Sequence, residues 1–298
     1  MVALGLILCA LFGSVFVQGA PPLVARQSIS TLTAAQVAAF KRYSYYASTA
    51  ACAPAKTLAW NCGANCNANP TFKPVASGGD GSATQYWYVG YDPNLKTVIV
   101  GYQGTDASKI LPIITDANFF LMPLRTALFP GVSSSLQTHD GFGDAQARSA
   151  PNVLAAVKTA MTMYGATKVT IVGHSLGGAI ALITSVYLPL HLPAGTTFRT
   201  ITYGMPRVGN QAFADYVDTH ADVTHINNQD DIVPIVPGRF LGFHHPKGEK
   251  HIVNSGAWIN CPGQDNTNGE CTIGYVPNLL AGDPGDHSGP YDGVSMGC

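Results

Sequence analysis

The sequence predicts an α/β fold, one domain built on a mostly parallel central sheet with helices on both faces. Two observations carry this. Short apolar, β-branched runs alternate with helix-length segments between residues 97 and 226, the pattern of parallel strands joined by crossover helices. One such run, Lys168–Val172, is followed by Gly173-His-Ser-Leu-Gly177 and then by a small, apolar helical stretch, 179–188. That is Gly-x-Ser-x-Gly at a strand-to-helix turn. A chain of 298 residues suits one large domain, and neither a repeat nor a linker divides it.

In chain order, residues 1–20 hold an apolar run too short and too early for a membrane span. They read as a secretory signal peptide, although only the amino terminus is positive. Cleavage after Gly19 or Ala20 fits the small-residue rule, and 21–26 read as a short propeptide ending at Arg26. The folded domain is then 27–298. No other stretch is long and apolar enough to span a bilayer.

Thr33-Ala-Ala-Gln36 has the form of a capping box. Val37, Phe40, Tyr43 and Ala47 follow on one helical face. Residues 52–81, rich in Cys, Asn, Gly and Pro, are expected to form a loop region. Strands are predicted at 85–91 and 97–102, joined by Asp-Pro-Asn at 92–94. Pro151 is expected to open a helix whose apolar face is Leu154, Val157, Met161 and Tyr164. After the serine turn come strands at 200–203 and 223–226, with a helix between them at 211–219.

The net charge is −1 and only 11% of residues are charged, so there is no basic stripe to hold a nucleic-acid backbone. Seven cysteines become six once Cys9 leaves with the signal peptide. An even count in a secreted chain predicts three disulfides, with 15 possible pairings. Cys62 and Cys66 are near enough to close a small loop, as are Cys261 and Cys271, which leaves Cys52 and Cys298. The spacings form no Cys-x-x-Cys zinc pair.

A Gly-x-Ser-x-Gly turn pushes its serine into a strained, exposed position near a helix N-terminus, where developing negative charge is favoured. This is the nucleophile elbow of α/β-hydrolases. A serine nucleophile needs a base in hydrogen-bond reach and an acid to orient that base, here following in the order acid, then histidine. The candidate acids downstream are Asp230 and Asp231, directly after the 223–226 strand. The downstream histidines are His244, His245, His251 and His287. Spacing prefers His287 without selecting it, and the cluster at 244, 245 and 251 leaves a metal site open as a lesser reading.

The motifs Gly101-Tyr-Gln-Gly-Thr-Asp106, His139-Asp-Gly-Phe142, Gly173-His-Ser-Leu-Gly-Gly-Ala179, Thr202-Tyr-Gly-Met-Pro-Arg-Val-Gly-Asn210, Asp231-Ile-Val-Pro234 and Asp286-His287 give the chain a resemblance to a family. In order and spacing it resembles the fungal class 3 lipases, secreted α/β-hydrolases that act on acylglycerols. The resemblance implies Ser175 as nucleophile, Asp231 as orienting acid and His287 as base. It implies an oxyanion hole at Thr105 and Leu176, and no metal or organic cofactor. It assigns no role to Asp230. It also implies the pairs Cys52–Cys298, Cys62–Cys66 and Cys261–Cys271. Where the family usually has Phe-Arg-Gly-Ser, this chain has Tyr-Gln-Gly-Thr, which keeps the hydroxyl; Asp116 is a candidate acceptor for Thr105.

In the family the segment after the oxyanion loop is a lid that opens at a lipid surface. Ile110, Leu111, Ile113 and Ile114 are the candidate lid face here, since an apolar turn interrupted by Pro112 makes a poor core helix. Phe119-Phe120-Leu121-Met122 is expected to be ordinary core, with a strand or part of the acyl-chain pocket as the alternatives. The implied activity is triacylglycerol hydrolysis by a monomer at a lipid–water interface. A feruloyl or short-chain esterase on the same scaffold is the alternative, and a non-catalytic lipid-binding homologue is the alternative outside the enzymes.

Overall fold

The computed structural model describes residues 28–105 and 119–298. Its strands, in chain order, are β1 (Ser30–Thr31), β2 (Lys73–Gly78), β3 (Trp87–Asp92), β4 (Thr97–Tyr102), β5 (Leu121–Pro123), β6 (Gln137–His139), β7 (Lys168–His174), β8 (Thr197–Tyr203), β9 (Gly209–Asn210), β10 (Val223–Asn228), β11 (Phe243–His244), β12 (Glu249–Ile252) and β13 (Trp258–Cys261). The main sheet runs β1-β13-β12-β10-β8-β7-β4-β3-β2. The five central strands, from β12 to β4, are parallel, and antiparallel strands flank them on each side. This is the α/β-hydrolase arrangement the sequence predicts.

The strand period of two sorts side chains between two cores. Val98, Val100 and Tyr102 of β4, with Val169 and Ile171 of β7, face a core closed by helices Asp140–Tyr164, Leu176–Tyr187 and Gln211–His220. Ile99, Val172, Ile201 and Ile226 face the other way, onto Phe40, Tyr43, Tyr46 and Ala47 of the N-terminal helical segment. Both faces of the central strands are therefore buried, which is why these runs are apolar without alternation.

The N-terminal capping box forms, with Gln36 N–H donating to Thr33 Oγ1 and Thr33 N–H to Gln36 Oε1. The helix it opens ends at Ala38, and a second begins at Lys41. Two expectations need correction. Residues 52–81 are not only loop: they hold helices Pro54–Ala59 and Ala64–Asn67 and the edge strand β2. Pro74 hides that strand, tolerated because it lies at an edge beside a register shift. Pro151 also does not start a helix, since the helix begins at Asp140 and runs through it. The carbonyl that would accept from residue 151 belongs to Ala147, which is half-exposed, so solvent can take the missing partner's place.

Three disulfides join Cys52 to Cys298, Cys62 to Cys66 and Cys261 to Cys271. The first spans 246 residues, so in the chain-entropy model it restrains the unfolded chain by about 5 kcal/mol, against about 2 kcal/mol for the four-residue Cys62–Cys66 span.

Candidate active site

The loops that leave the C-terminal ends of parallel strands share one edge of a doubly wound sheet. Ser175 stands at that edge, between the end of β7 and the helix Leu176–Tyr187, with φ 57° and ψ −128°. Such a backbone is strained for a residue with a side chain and persists only where its surroundings enforce it. Two close approaches do so. A Cβ on Gly173 would lie 2.1 Å from the Gly177 carbonyl oxygen, and one on Gly177 would lie 2.2 Å from that of Tyr102. The Ser175 N–H donates to the Tyr203 carbonyl at 2.9 Å, while its hydroxyl makes no helix-capping bond.

The loop after β10 delivers Asp231, which is fully buried. Its Oδ1 accepts the Val233 N–H at 2.9 Å, and its Oδ2 accepts from His287 Nδ1 at 2.8 Å. A carboxylate only accepts here, so the proton sits on Nδ1 and Nε2 of the neutral ring is a bare base. His287 Nε2 is buried and makes no hydrogen bond to any described residue, Ser175 included. Such contacts are often open before substrate binds.

Asp230 is a brace. Its N–H donates to Asp286 Oδ2 at 3.1 Å, its carbonyl accepts the Asp283 N–H at 2.7 Å, and its Oδ2 accepts from Asn254. Asn228 adds a bond to the Asp286 carbonyl. The loop that carries His287 is thereby stapled to the loop that carries Asp231. Burial, and then the neighbouring carboxylates of Asp283, Asp230 and Asp231, push the Asp286 carboxyl above its ordinary range despite the Asp230 N–H.

Residues 99–241 match the family model described as Lipase (class 3). A secreted mono- and diacylglycerol lipase of Malassezia restricta is 33% identical over 200 residues, covering 65% of this chain and 61% of that protein. The chain thus spans about three fifths of the length of that relative. The secreted mono- and diacylglycerol lipase 3 of Gibberella zeae is 33% identical over 236 residues, 74% of this chain and 70% of that one. The chain belongs to the class 3 lipase family. Among solved structures, lipase II from Rhizopus niveus superposes with a TM-score of 0.77 at 26% identity, over 90% of this chain and 99% of that one. The Rhizomucor miehei lipase–propeptide complex gives 0.77 at 26%, over 91% and 84%.

In this member of the class 3 lipase family, Leu176 occupies the first helical position after the serine, where an N–H has no acceptor within the helix. Thr105 is half-exposed. The preceding Gly104 presses on the elbow, for its Cβ would lie 2.5 Å from the His174 carbonyl oxygen and 3.1 Å from Ser175 Cβ. Gln103, bonded in both directions to the Tyr86 backbone, anchors that loop. Ile110, Leu111, Ile113, Ile114 and Asp116 lie outside the described residues.

His244, His245 and His251 are not brought to the serine turn by any described hydrogen bond. His245 Nε2 donates to the Pro234 carbonyl, and His251 turns both ring nitrogens to backbone carbonyls. Among the described residues the one ligand-like cluster is Glu249 with Cys261 and Cys271, whose sulfurs are joined to each other. The core reading of Phe119–Met122 is corrected: Phe120 is 63% and Met122 50% exposed. Leu121, between them, reaches Gly242, where a Cβ would lie 3.4 Å from its side chain. Phe240, from the loop after Asp231, is 89% exposed, and Leu280, shortly before His287, is 99% exposed.

Proposed function

We propose that the chain is a secreted serine lipase that hydrolyses the carboxylic esters of acylglycerols through an acyl-enzyme. His287 Nε2 takes the Ser175 hydroxyl proton as Oγ attacks the ester carbonyl carbon. The resulting oxyanion is held by the N–H groups of Thr105 and Leu176. Collapse of the tetrahedral species breaks the bond to the glycerol oxygen, which receives the proton from His287. Water, deprotonated by the same nitrogen, then releases the fatty acid. Asp231 holds the imidazole in the required tautomer and stabilises its charged form.

The buried 2.8 Å bond from His287 to Asp231, beside a serine held at positive φ, is the observation that carries this reading. The names of the curated relatives make monoacyl- and diacylglycerols the first substrates to try, with triacylglycerols beside them. Ser175→Ala is expected to abolish hydrolysis, and an organophosphate to label Ser175 stoichiometrically. If no emulsified acylglycerol is turned over while soluble aryl esters are, the esterase reading replaces the lipase one.

The exposed apolar side chains of Phe120, Met122, Phe240 and Leu280 support a lipid–water interface as the partner. No helix among the described residues is long and apolar enough to cross a membrane. Residues 1–20 fit a secretory signal and 21–26 a propeptide, and sequencing the N-terminus of the exported protein tests both boundaries.

A further inference from the structure

We infer that His174 and Tyr291 are positioning residues for His287, gripping it by its backbone carbonyl while Asp231 grips it by its ring. This rests on the Ser175–His287–Asp231 reading above and adds two side chains to it.

His287 lies near the end of the turn Pro284–Ser288. The main-chain bonds there use the carbonyls of Asp283, Asp286 and Ser288, and no backbone N–H of a described residue reaches that of His287. Two side chains meet it instead. His174 Nε2 lies 2.7 Å from the His287 carbonyl oxygen, and the Tyr291 hydroxyl lies 3.1 Å from it. A carbonyl only accepts, so Nε2 of His174 carries a proton and the tyrosine hydroxyl donates. The imidazoles of His174 and His287 sit 4.4 Å apart, and His287 and Tyr291 are fully buried.

The grip closes a ring of contacts around the elbow. His174 directly precedes the nucleophile, so one short segment carries both Ser175 and a brace for its base. The Ser175 N–H donates to the Tyr203 carbonyl, the Tyr203 ring packs edge-on against Tyr291 at 5.2 Å, and Tyr291 returns to His287. The base comes from a loop more than 100 residues after the serine. This ring ties the two in register through bonds that leave His287 Nε2 untouched. Burial, and then the nearness of His287, hold the His174 pKa well below its ordinary value. His174 therefore stays neutral beside a partner that becomes cationic in each catalytic cycle.

The test uses the full chain and a soluble p-nitrophenyl ester, reading kcat, KM and Tm. His174→Ala is expected to lower kcat by about tenfold or more with KM nearly unchanged, because a misaimed base slows chemistry without weakening binding. His174→Gln, whose amide can donate to the same carbonyl, is expected to recover most of that loss. Tyr291→Phe, which removes one hydroxyl, is expected to lower kcat by roughly threefold. The inference is overturned if His174→Gln is as slow as His174→Ala, or if Tyr291→Phe keeps the wild-type kcat. The second measurement decides even where His174→Ala does not fold. Ser175→Ala runs alongside: full activity there would refute the triad, whereas a dead Ser175→Ala with unaffected Tyr291→Phe would refute only the grip.

Discussion

Gly204 stands directly against the His287 imidazole: a Cβ at position 204 would lie 2.9 Å from both Cε1 and Nδ1 of that ring, and 2.9 Å from Asp231 Oδ2. Gly204 has φ +52° and follows β8, so the His287–Asp231 pair is seated on bare backbone. Gly204→Ala is expected to cut kcat/KM by about 100-fold, by tilting the ring away from Ser175. Gly165→Ala is the matched control, for Gly165 has φ +59° with nothing within 4 Å. It is expected to lower Tm and leave turnover per folded molecule unchanged. Equal activity losses in the two variants would assign the Gly204 effect to backbone strain alone.

The exposed apolar side chains yield a separable prediction. Phe240→Ser and Leu280→Ser together are expected to weaken adsorption to emulsified diacylglycerol by about 100-fold or more, since each removes a side chain worth about 1.5–3 kcal/mol on burial. Turnover of a soluble short-chain ester should not change. Partitioning between droplet and water, measured by centrifugation, checks it. Unaltered adsorption would remove these side chains from the lipid-contacting surface.

A buried ion pair fixes the segment after the acid loop. Arg207 donates to Asp265 Oδ1 at 2.8 Å and to the carbonyls of Ile235 and Pro237, with both charged side chains almost fully buried. Asp265→Ala is expected to destabilise the fold by about 3–5 kcal/mol, because it leaves the guanidinium buried without its counter-charge. Urea denaturation measures this. A loss below about 1 kcal/mol, the range of exposed pairs, would contradict the buried-pair account.

Acid lability follows from the stacked pair His225 and His245, whose rings lie 4.9 Å apart. Burial, and then the neighbouring His245, push His225 down to about 3; burial, countered by Asp265, leaves His245 at about 4. An unfolded histidine titrates near 6.5. Between those values the unfolded chain binds protons that the native state refuses, so stability is full above pH 6.5 and falls as the pH drops toward 4. At pH 5 this amounts to about 2 kcal/mol for each histidine. Replacing both by glutamine keeps a donor for Pro246 and Pro234 and should flatten Tm between pH 7 and 5. An unchanged slope would place the acid sensitivity elsewhere.

The parallel centre of the fold was legible because its strands are buried on both faces and must be continuously apolar, as Val98–Tyr102 and Val169–Val172 are. The strands hidden from sequence are those with no such demand. β2 is an edge interrupted by Pro74, and β9 and β11 are two-residue pairs too short to show a period. The helix through Pro151 was misjudged at its start because Asp140–Ala150 buries only small and polar side chains such as Ala145, Gln146 and Ser149. Its apolar stripe therefore begins a full three turns late.

At the site, Gly-x-Ser-x-Gly is readable because the close approach at each glycine forbids a side chain. Spacing alone leaves Asp231 and His287 among several rivals, and it is the resemblance of Asp231-Ile-Val-Pro234 and Asp286-His287 to the family's motifs that singles them out. The hydrogen bond that joins them links residues 56 apart, which no local pattern shows. His174, Tyr291 and Gly204 were invisible for the same reason: what each does depends on which atom of His287 it meets, and that is decided only once the chain is folded.

The Cys52–Cys298 bond has a topological meaning beyond its effect on the unfolded chain. It places the last residue 5.0 Å, Cα to Cα, from a residue near the start of the domain, so the polypeptide between them is a covalent circle. A protease that cuts a surface loop once within that circle opens it without releasing a fragment, and the pieces carrying Ser175 and His287 stay joined. Such a nicked molecule would run as one band without reductant and as two with it.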